Sequence, residues 1–328
     1  MDPRRLGRTD IELSPIGLGC WQFSQGKGFT GSVWAVLDQP QVDSVVRAAL
    51  DGGITWFDTA AAYGNGQSER ALSTALRGCA VRPGDVTVAT KWFPILKTAA
   101  NISRTIDLRL DCLQGYPIDL HQVHLPWSVS SIAAQMRQMA GLVRQGKIRS
   151  VGVSNFSAIQ MRGAHAALAA QGLPLASNQV LMSLLDRRVE RNGVLQAARE
   201  LGVTLIAYSP LAQGVLTGRF HDDPQAVLAL PRGRRSRFVP ASRAHSAAAL
   251  ARSAPLIDLL RTIGTAHSAT VAQVALAWLL AYYGKTVVAI PGATRPQQAG
   301  ENARSMELDL TDHEMAQIDA LSRIAARF

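Results

Sequence analysis

The chain has 328 residues, of which 47% are hydrophobic and 18% charged, and it carries a formal net charge of +10 at pH 7. That balance supports a sizeable core and excludes a disordered or low-complexity chain. No run reaches the about eighteen apolar residues needed to span a bilayer, and the opening MDPRRLGRTD lacks the apolar centre of a secretory signal, so a cytoplasmic protein without membrane contact is expected.

Short β-branched or apolar runs alternate with longer stretches of helical periodicity, the pattern of βα units around a parallel sheet. A first strand reads at 15–19 and leads to a helix at 40–51; a second at 54–57 leads to 67–77. The third, at 86–90, is followed by a helix at 101–114, the fourth, 118–123, by 129–145, and the fifth, 149–153, by 156–171. The sixth, 177–180, precedes a helix at 190–201; the seventh, 203–207, precedes one at 269–283; the eighth is 287–290, with a helix starting near 296. Ser68, Glu69 and Ser103 lie where helices start, and Gly146, Gly172 and Gly202 lie where left-handed C-terminal caps belong. A last amphipathic stretch at 311–324 reads as an extra helix. Eight units in this order fit a (β/α)8 barrel, expected to occupy 1–328 as one domain. The connections 21–39 and 211–246 exceed ordinary loops, and loops of that length in a compact domain are more often functional than idle.

Three cysteines, Cys20, Cys79 and Cys112, stand far apart without metal-ligand or CxxC spacing and read as reduced. Basic residues are dispersed except in the run Arg232-Gly233-Arg234-Arg235-Ser236-Arg237, and no nucleic-acid-binding motif accompanies them, so no nucleic-acid partner is expected. The positive charge suits the steering of an anionic ligand instead. Gly26-Lys27-Gly28-Phe29-Thr30-Gly31 satisfies a GxGxxG pattern, but no strand runs into it and Pro40 follows soon, so it reads as a loop.

In such a barrel the residues just past each strand converge on one mouth. Here polar groups stand at those positions repeatedly: Asp58 and Tyr63, Lys91, His124, Ser154-Asn155, Gln179, Tyr208-Ser209 and Pro291-Gly292. Each alone is an ordinary core residue, helix cap or ion pair. Their shared place at the strand ends argues for a site.

Taken in order, Ile16-Gly17-Leu18-Gly19, Phe57-Asp58-Thr59-Ala60-Ala61-Ala62-Tyr63-Gly64, Gln67-Ser68-Glu69, Ala89-Thr90-Lys91, His124-Leu125-Pro126, Gly152-Val153-Ser154-Asn155-Phe156, Ala207-Tyr208-Ser209-Pro210-Leu211 and Ile290-Pro291-Gly292 resemble the aldo-keto reductases across nearly the whole chain. Leu184-Leu185-Asp186-Arg187 and Gly214-Val215-Leu216-Thr217-Gly218 are most similar to the bacterial and potassium-channel-β-subunit-like branches of that family. The resemblance implies reversible reduction of aldehyde or ketone carbonyls through Asp58, Tyr63, Lys91 and His124, with Tyr63 as general acid. A phenol with a pKa of about 10 is a reluctant acid near neutrality, so a nearby Lys91 ammonium is expected to lower it, with Asp58 fixing the lysine and His124 bonding the carbonyl oxygen.

The cofactor implied is NADPH, with NADH second. Ser154, Asn155 and Gln179 would meet its carboxamide and Tyr208 its nicotinamide ring, with Trp21 and Asp58 beside them. Ser209, Pro210, Leu211, Gln213, Gly214, Leu216 and Gly218, then Ile290, Pro291, Gly292, Ala293, Arg295, Gln298, Glu301 and Asn302, would hold the pyrophosphate and adenosine. The family's phosphate-gripping arginine is Gln298 here, and Arg295 is the substitute. The aromatic expected shortly after Gln179 is also missing, the chain reading Val180-Leu181-Met182. Substrate contacts are expected from Trp21, Phe23, Trp92 and Trp127, with Trp34, Phe93 and Phe238 as further candidates for an apolar cleft. The partner is a small carbonyl compound, and monomer and homo-oligomer both stay open. A different reading keeps the scaffold but not the turnover: an NADPH-binding regulatory subunit.

Overall fold

The computed structural model describes residues 1–28, 33–231 and 242–326. The basic run at Arg232 to Arg237, Phe238 and the second half of the GxGxxG segment lie outside them.

Eight parallel strands run in chain order: β3 (Leu18–Gly19), β4 (Trp56–Asp58), β5 (Thr87–Trp92), β6 (Leu120–Val123), β7 (Ser150–Ser154), β8 (Leu175–Leu181), β9 (Thr204–Tyr208) and β10 (Val287–Ile290). Each pairs with the next, and the parallel bridges Ile16 to Ala289 and Gly19 to Gly292 join the first to the last, closing the barrel. Close approach at this seam requires glycine. A Cβ on Gly19 would meet the Ile290 carbonyl oxygen at 2.8 Å, and one on Gly17 would meet the Trp56 ring at 2.3 Å.

The helical layer is α1 (Gln39–Asp51), α2 (Gln67–Gly78), α3 (Ala100–Leu113), α4 (Ile132–Arg144), α5 (Ala158–Ala169), α6 (Val194–Leu201), the short α7 (Arg219–Asp222), α8 (Ala247–Ala266), α9 (Val271–Tyr283), α10 (Pro296–Arg304) and α11 (Asp312–Ala325). Side-chain caps start several of them: Asp38, Ser157, Thr270 and Thr311 each form a reciprocal capping box with the residue three further on. Ser68 and Ser103 cap nothing: Ser68 donates to the Cys20 carbonyl and Ser103 to Gln138. Gly202 is the left-handed C-cap of α6 as expected, with φ +66°.

Some of the structure escapes the sequence pattern. A two-stranded hairpin, β1 (Arg4–Arg5) with β2 (Glu12–Leu13), plugs the barrel floor, where Leu6, Ile11 and Leu13 pack with Trp56, Ala89, Leu120, Ile206 and Val288. The 20-residue α8 also lies where no helix is expected, and the first strand shrinks to Leu18–Gly19. The larger core fills the space between strands and helices. Outside the barrel, Arg187 sits against the Trp278 and Tyr282 rings (5.0 and 4.9 Å to the centroids) and pairs with Glu190 and Asp319, clasping α11. Among the described residues no single helix is long and apolar enough to cross a membrane.

Candidate active site

Strand alternation places the reactive groups. Along β5 successive side chains turn to opposite faces, so Lys91 enters the barrel while Trp92 points out to the helices, where its indole N–H donates to Asn101 at 2.9 Å. Lys91 is fully buried beneath the mouth. Its ammonium bonds the Asp58 carboxylate, the Thr59 carbonyl at 2.9 Å and the Tyr63 hydroxyl at 3.4 Å. The other Asp58 oxygen accepts from two amides, Gln179 at 2.9 Å and Gln122 at 3.1 Å. Gln122, buried within β6, is a site residue that reading strand ends misses, because it stands inside the strand, one residue before its last. Behind this group, Thr90 donates to Glu69 at 2.6 Å and Glu69 pairs with Arg109 at 2.5 Å, a buried tie between β5, α2 and α3.

Trp21 lies nearly parallel to the Tyr63 ring, 5.7 Å between centroids, and Trp34 meets Trp21 edge-on at 5.8 Å. The His124 ring stands edge-on to Tyr63 at 5.7 Å and to Phe93 at 5.8 Å. Burial, helped by the Lys91 charge, pushes the His124 imidazole well below the ordinary histidine range, so it is neutral at pH 7. For Lys91, burial opposes the charge, yet Asp58 and the phenol outweigh it and raise the ammonium's pKa. The expected lowering at Tyr63 is not what the geometry gives. Desolvation outweighs the Lys91 charge and raises the phenol, keeping it protonated.

These groups form the floor of a cleft of about 980 Å³ across the barrel mouth. Trp21, Asp58, Tyr63, His124, Ser154, Asn155, Gln179, Tyr208, Ser209, Pro210, Leu211, Gln213 and Gly214 line it, as do Ile290, Pro291, Gly292, Arg295, Gln298, Glu301 and Asn302. Six expected residues do not, and one of them, Lys91, lies fully buried just beneath the lining. Phe23 and Trp92 are buried away from it, since the turn at Trp21–Ser24 sends Trp21 to the cleft and Phe23 to the core. Leu216 and Ala293 pack in the core, and Gly218 stands outside the lining beside Arg261 and Ile257. Cys20, Gln22, Trp34, Phe93 and Leu125 line the cleft too.

Asn155, in the left-handed region at φ +62°, donates to the His124 carbonyl at 3.3 Å and accepts from the Tyr208 hydroxyl at 2.9 Å. Ser154 donates to the Gln179 carbonyl at 3.0 Å. Neither caps α5, a role taken by Ser157. Along the cleft, buried polar atoms without a protein partner remain at Trp21 Nε1, Gln22 Oε1, His124 Nδ1 and Asn302 Nδ2. Such orphans at both ends suit an extended polar ligand. A side chain at Gly292 would strike the Gln22 amide at 2.0 Å, so backbone faces the cleft there. At the far end Arg295 is the N-cap residue of α10, whose first turn begins with Pro296, and the Gln298 carbonyl is taken by Thr294.

The profile of the Aldo/keto reductase family matches residues 15–323. The oxidoreductase Rv2298 of Mycobacterium tuberculosis is 36% identical over 319 residues, covering 97% of this chain and 91% of the relative. The chloroplastic pyridoxal reductase of Arabidopsis thaliana is 32% identical, covering 94% and 83%. Among solved structures, the thermostable aldo-keto reductase Tm1743, crystallised with the inhibitor epalrestat, superposes with a TM-score of 0.76 at 30% identity, covering 98% of this chain and 100% of its own. With eight parallel strands in a closed ring, and with sequence and structure matching over nearly the full length, the chain belongs to the aldo/keto reductase family of oxidoreductases.

Proposed function

We propose that the protein reduces aldehyde or ketone carbonyls to alcohols with NADPH, using Tyr63 as the acid. One observation carries the reading: a protonated phenol, a buried ammonium 3.4 Å from its oxygen and a neutral imidazole meet at the floor of one cleft. When bound, NADPH supplies the hydride that reaches the carbonyl carbon. Tyr63 gives its proton to the carbonyl oxygen, and Lys91 stabilises the phenolate left behind. Asp58, held in turn by Gln122 and Gln179, fixes the ammonium. A neutral His124 bonds the oxygen without adding a second cation beside Lys91.

The residues fit the dinucleotide. Gln179 commits its Nε2 to Asp58, which leaves its carbonyl for a carboxamide N–H, and Tyr208 is anchored through Asn155 to face the ring. The backbone at Gly292 and the start of α10 suit phosphate. With the Gln298 side-chain carbonyl committed to Thr294, Arg295 would be the residue to hold a 2′-phosphate, which supports NADPH over NADH. The similarity to a protein named pyridoxal reductase agrees with a carbonyl substrate.

The test is purified protein with NADPH and a panel of aldehydes and ketones, following NADPH absorbance and the alcohol formed. Equal amounts of NADPH consumed and alcohol produced support the proposal. Tight NADPH binding with no turnover across the panel favours a regulatory subunit, and absence of NADPH binding overturns both.

A further inference from the structure

We propose that the substrate is an uncharged carbonyl compound with an extended apolar end, and that this end rests on a ledge at the cleft rim made by Leu96, Trp127 and Val129. The inference rests on the carbonyl-reductase reading above. Its first support is the character of the wall beside Tyr63, where Trp21, Trp34, Phe93, Leu125 and Trp127 face the cleft. Among the described residues, the charged side chains lining the cleft are Asp58, already bonded to Lys91, and Arg219, Arg295 and Glu301, which all follow β9 and β10. Among the described residues no cation lines the aromatic wall to pair with a carboxylate or phosphate desolvated there. Lys97 comes near, but its ammonium lies over the Phe93 ring, 5.9 Å from the centroid, and does not line the cleft.

The second support is what the rim leaves in water. Leu96 is 92% exposed, Val129 71% and Trp127 66%. Scattered exposed apolar residues are ordinary, but these three sit on two adjoining loops, of which Phe93 and Trp127 line the cleft, so the pair of loops borders the apolar wall while Leu96 and Val129 stand beyond its lining. The third support is that the ledge is already built. The Val129 N–H and the Ser128 hydroxyl both donate to the Lys97 carbonyl, at 3.3 and 3.0 Å, and the Ala99 N–H donates to Ser130 at 2.9 Å, which ties the loop after β5 to the loop after β6. Leu96 holds φ +58°, a conformation uncommon for a leucine, with its side chain exposed.

A carbonyl at Tyr63 and His124 therefore has an apolar path outward past Phe93 and Trp127 to Leu96 and Val129. The chemistry that uses it is that of long-chain or aryl-alkyl aldehydes, not of short sugars or keto acids.

The experiment measures kcat/KM with NADPH for straight-chain aldehydes from propanal to decanal, and for succinic semialdehyde beside butanal. It uses the wild-type protein and the double variant Leu96→Ser with Val129→Ser. The expected result is a rise of about two- to fourfold per added methylene in the wild type, the increment for partial to full burial of a CH₂. The double variant flattens the rise for the longer members and leaves propanal turnover unchanged. A flat or falling series, preference for the carboxylate-bearing aldehyde, or a double variant that behaves like the wild type would overturn the ledge. Failure of every aldehyde to consume NADPH would instead sink the reductase reading beneath it, a result distinct from turnover without chain-length dependence.

Discussion

At the scale of single residues, the phenol and the carboxylate beneath it make separable contributions. Removing only the Tyr63 hydroxyl, as in Tyr63→Phe, deletes the proposed proton donor while keeping the ring against Trp21. Turnover is expected to fall at least about a hundredfold, with NADPH affinity retained when titrated by tryptophan fluorescence. Gln122→Leu acts one step further back: it takes one donor from the buried Asp58 oxygen, and urea unfolding is expected to show a loss of about 1–3 kcal/mol, with kcat reduced as Lys91 loses its fixed partner. Sequence shows Asp58, Tyr63, Lys91 and His124 because each follows an apolar strand at a place where chemistry gathers. It does not show direction. Trp92 is adjacent to Lys91 in sequence and on the opposite face in space, and Phe23, two residues from Trp21, turns inward on the same tight turn. Gln122 reads as strand interior until its amide is seen on Asp58.

At the scale of elements, β-branched runs bounded by glycine and polar residues locate the eight strands to within a few residues. What they hide has physical reasons. The hairpin β1–β2 has strands of two residues, too short for any period to register. The α8 helix contains Pro255, which reads as a break because proline lacks the donor that a helix interior uses, and its alanine-rich faces give little amphipathic contrast. The clasp at Arg187 joins elements far apart in sequence, so it shows only in space. Arg187→Met keeps apolar bulk against Trp278 but leaves Glu190 and Asp319 with only the more exposed Arg323 as a cation. The expected cost is about 2–3 kcal/mol in urea unfolding, below the figure for a fully buried pair because both carboxylates are partly wet. Activity is expected to survive, since the clasp is remote from the cleft.

At the scale of the whole molecule, charge and protonation set the conditions under which the barrel works. With a net charge of +10, raising the KCl concentration is expected to raise the KM for anionic NADPH several-fold while leaving the KM for a neutral aldehyde nearly unchanged. Acid sensitivity has an internal source. Burial lowers His121 to about 4 and His124 well below its ordinary value. Between pH of about 6.5 and 4 the unfolded chain takes up protons that the folded chain refuses, so stability falls as pH drops through that window. His121→Leu is expected to remove up to about 1.4 kcal/mol per pH unit from that slope, measured by urea unfolding at pH 5, 6 and 7; an unchanged slope would place the acid sensitivity elsewhere.

The seam has a mechanical consequence. The ring is shut by a two-residue strand and two bridges, and the cleft presents Gly19 to Gln22 from one side of that joint and Ile290 to Gly292 from the other. Any molecule lying along the cleft fastens the beginning of the barrel to its end, like a pin through a hasp. Amide exchange at 15–22 and 287–292 should therefore slow on saturation with NADPH more than exchange in β6 or β7, and the melting temperature should climb with occupancy.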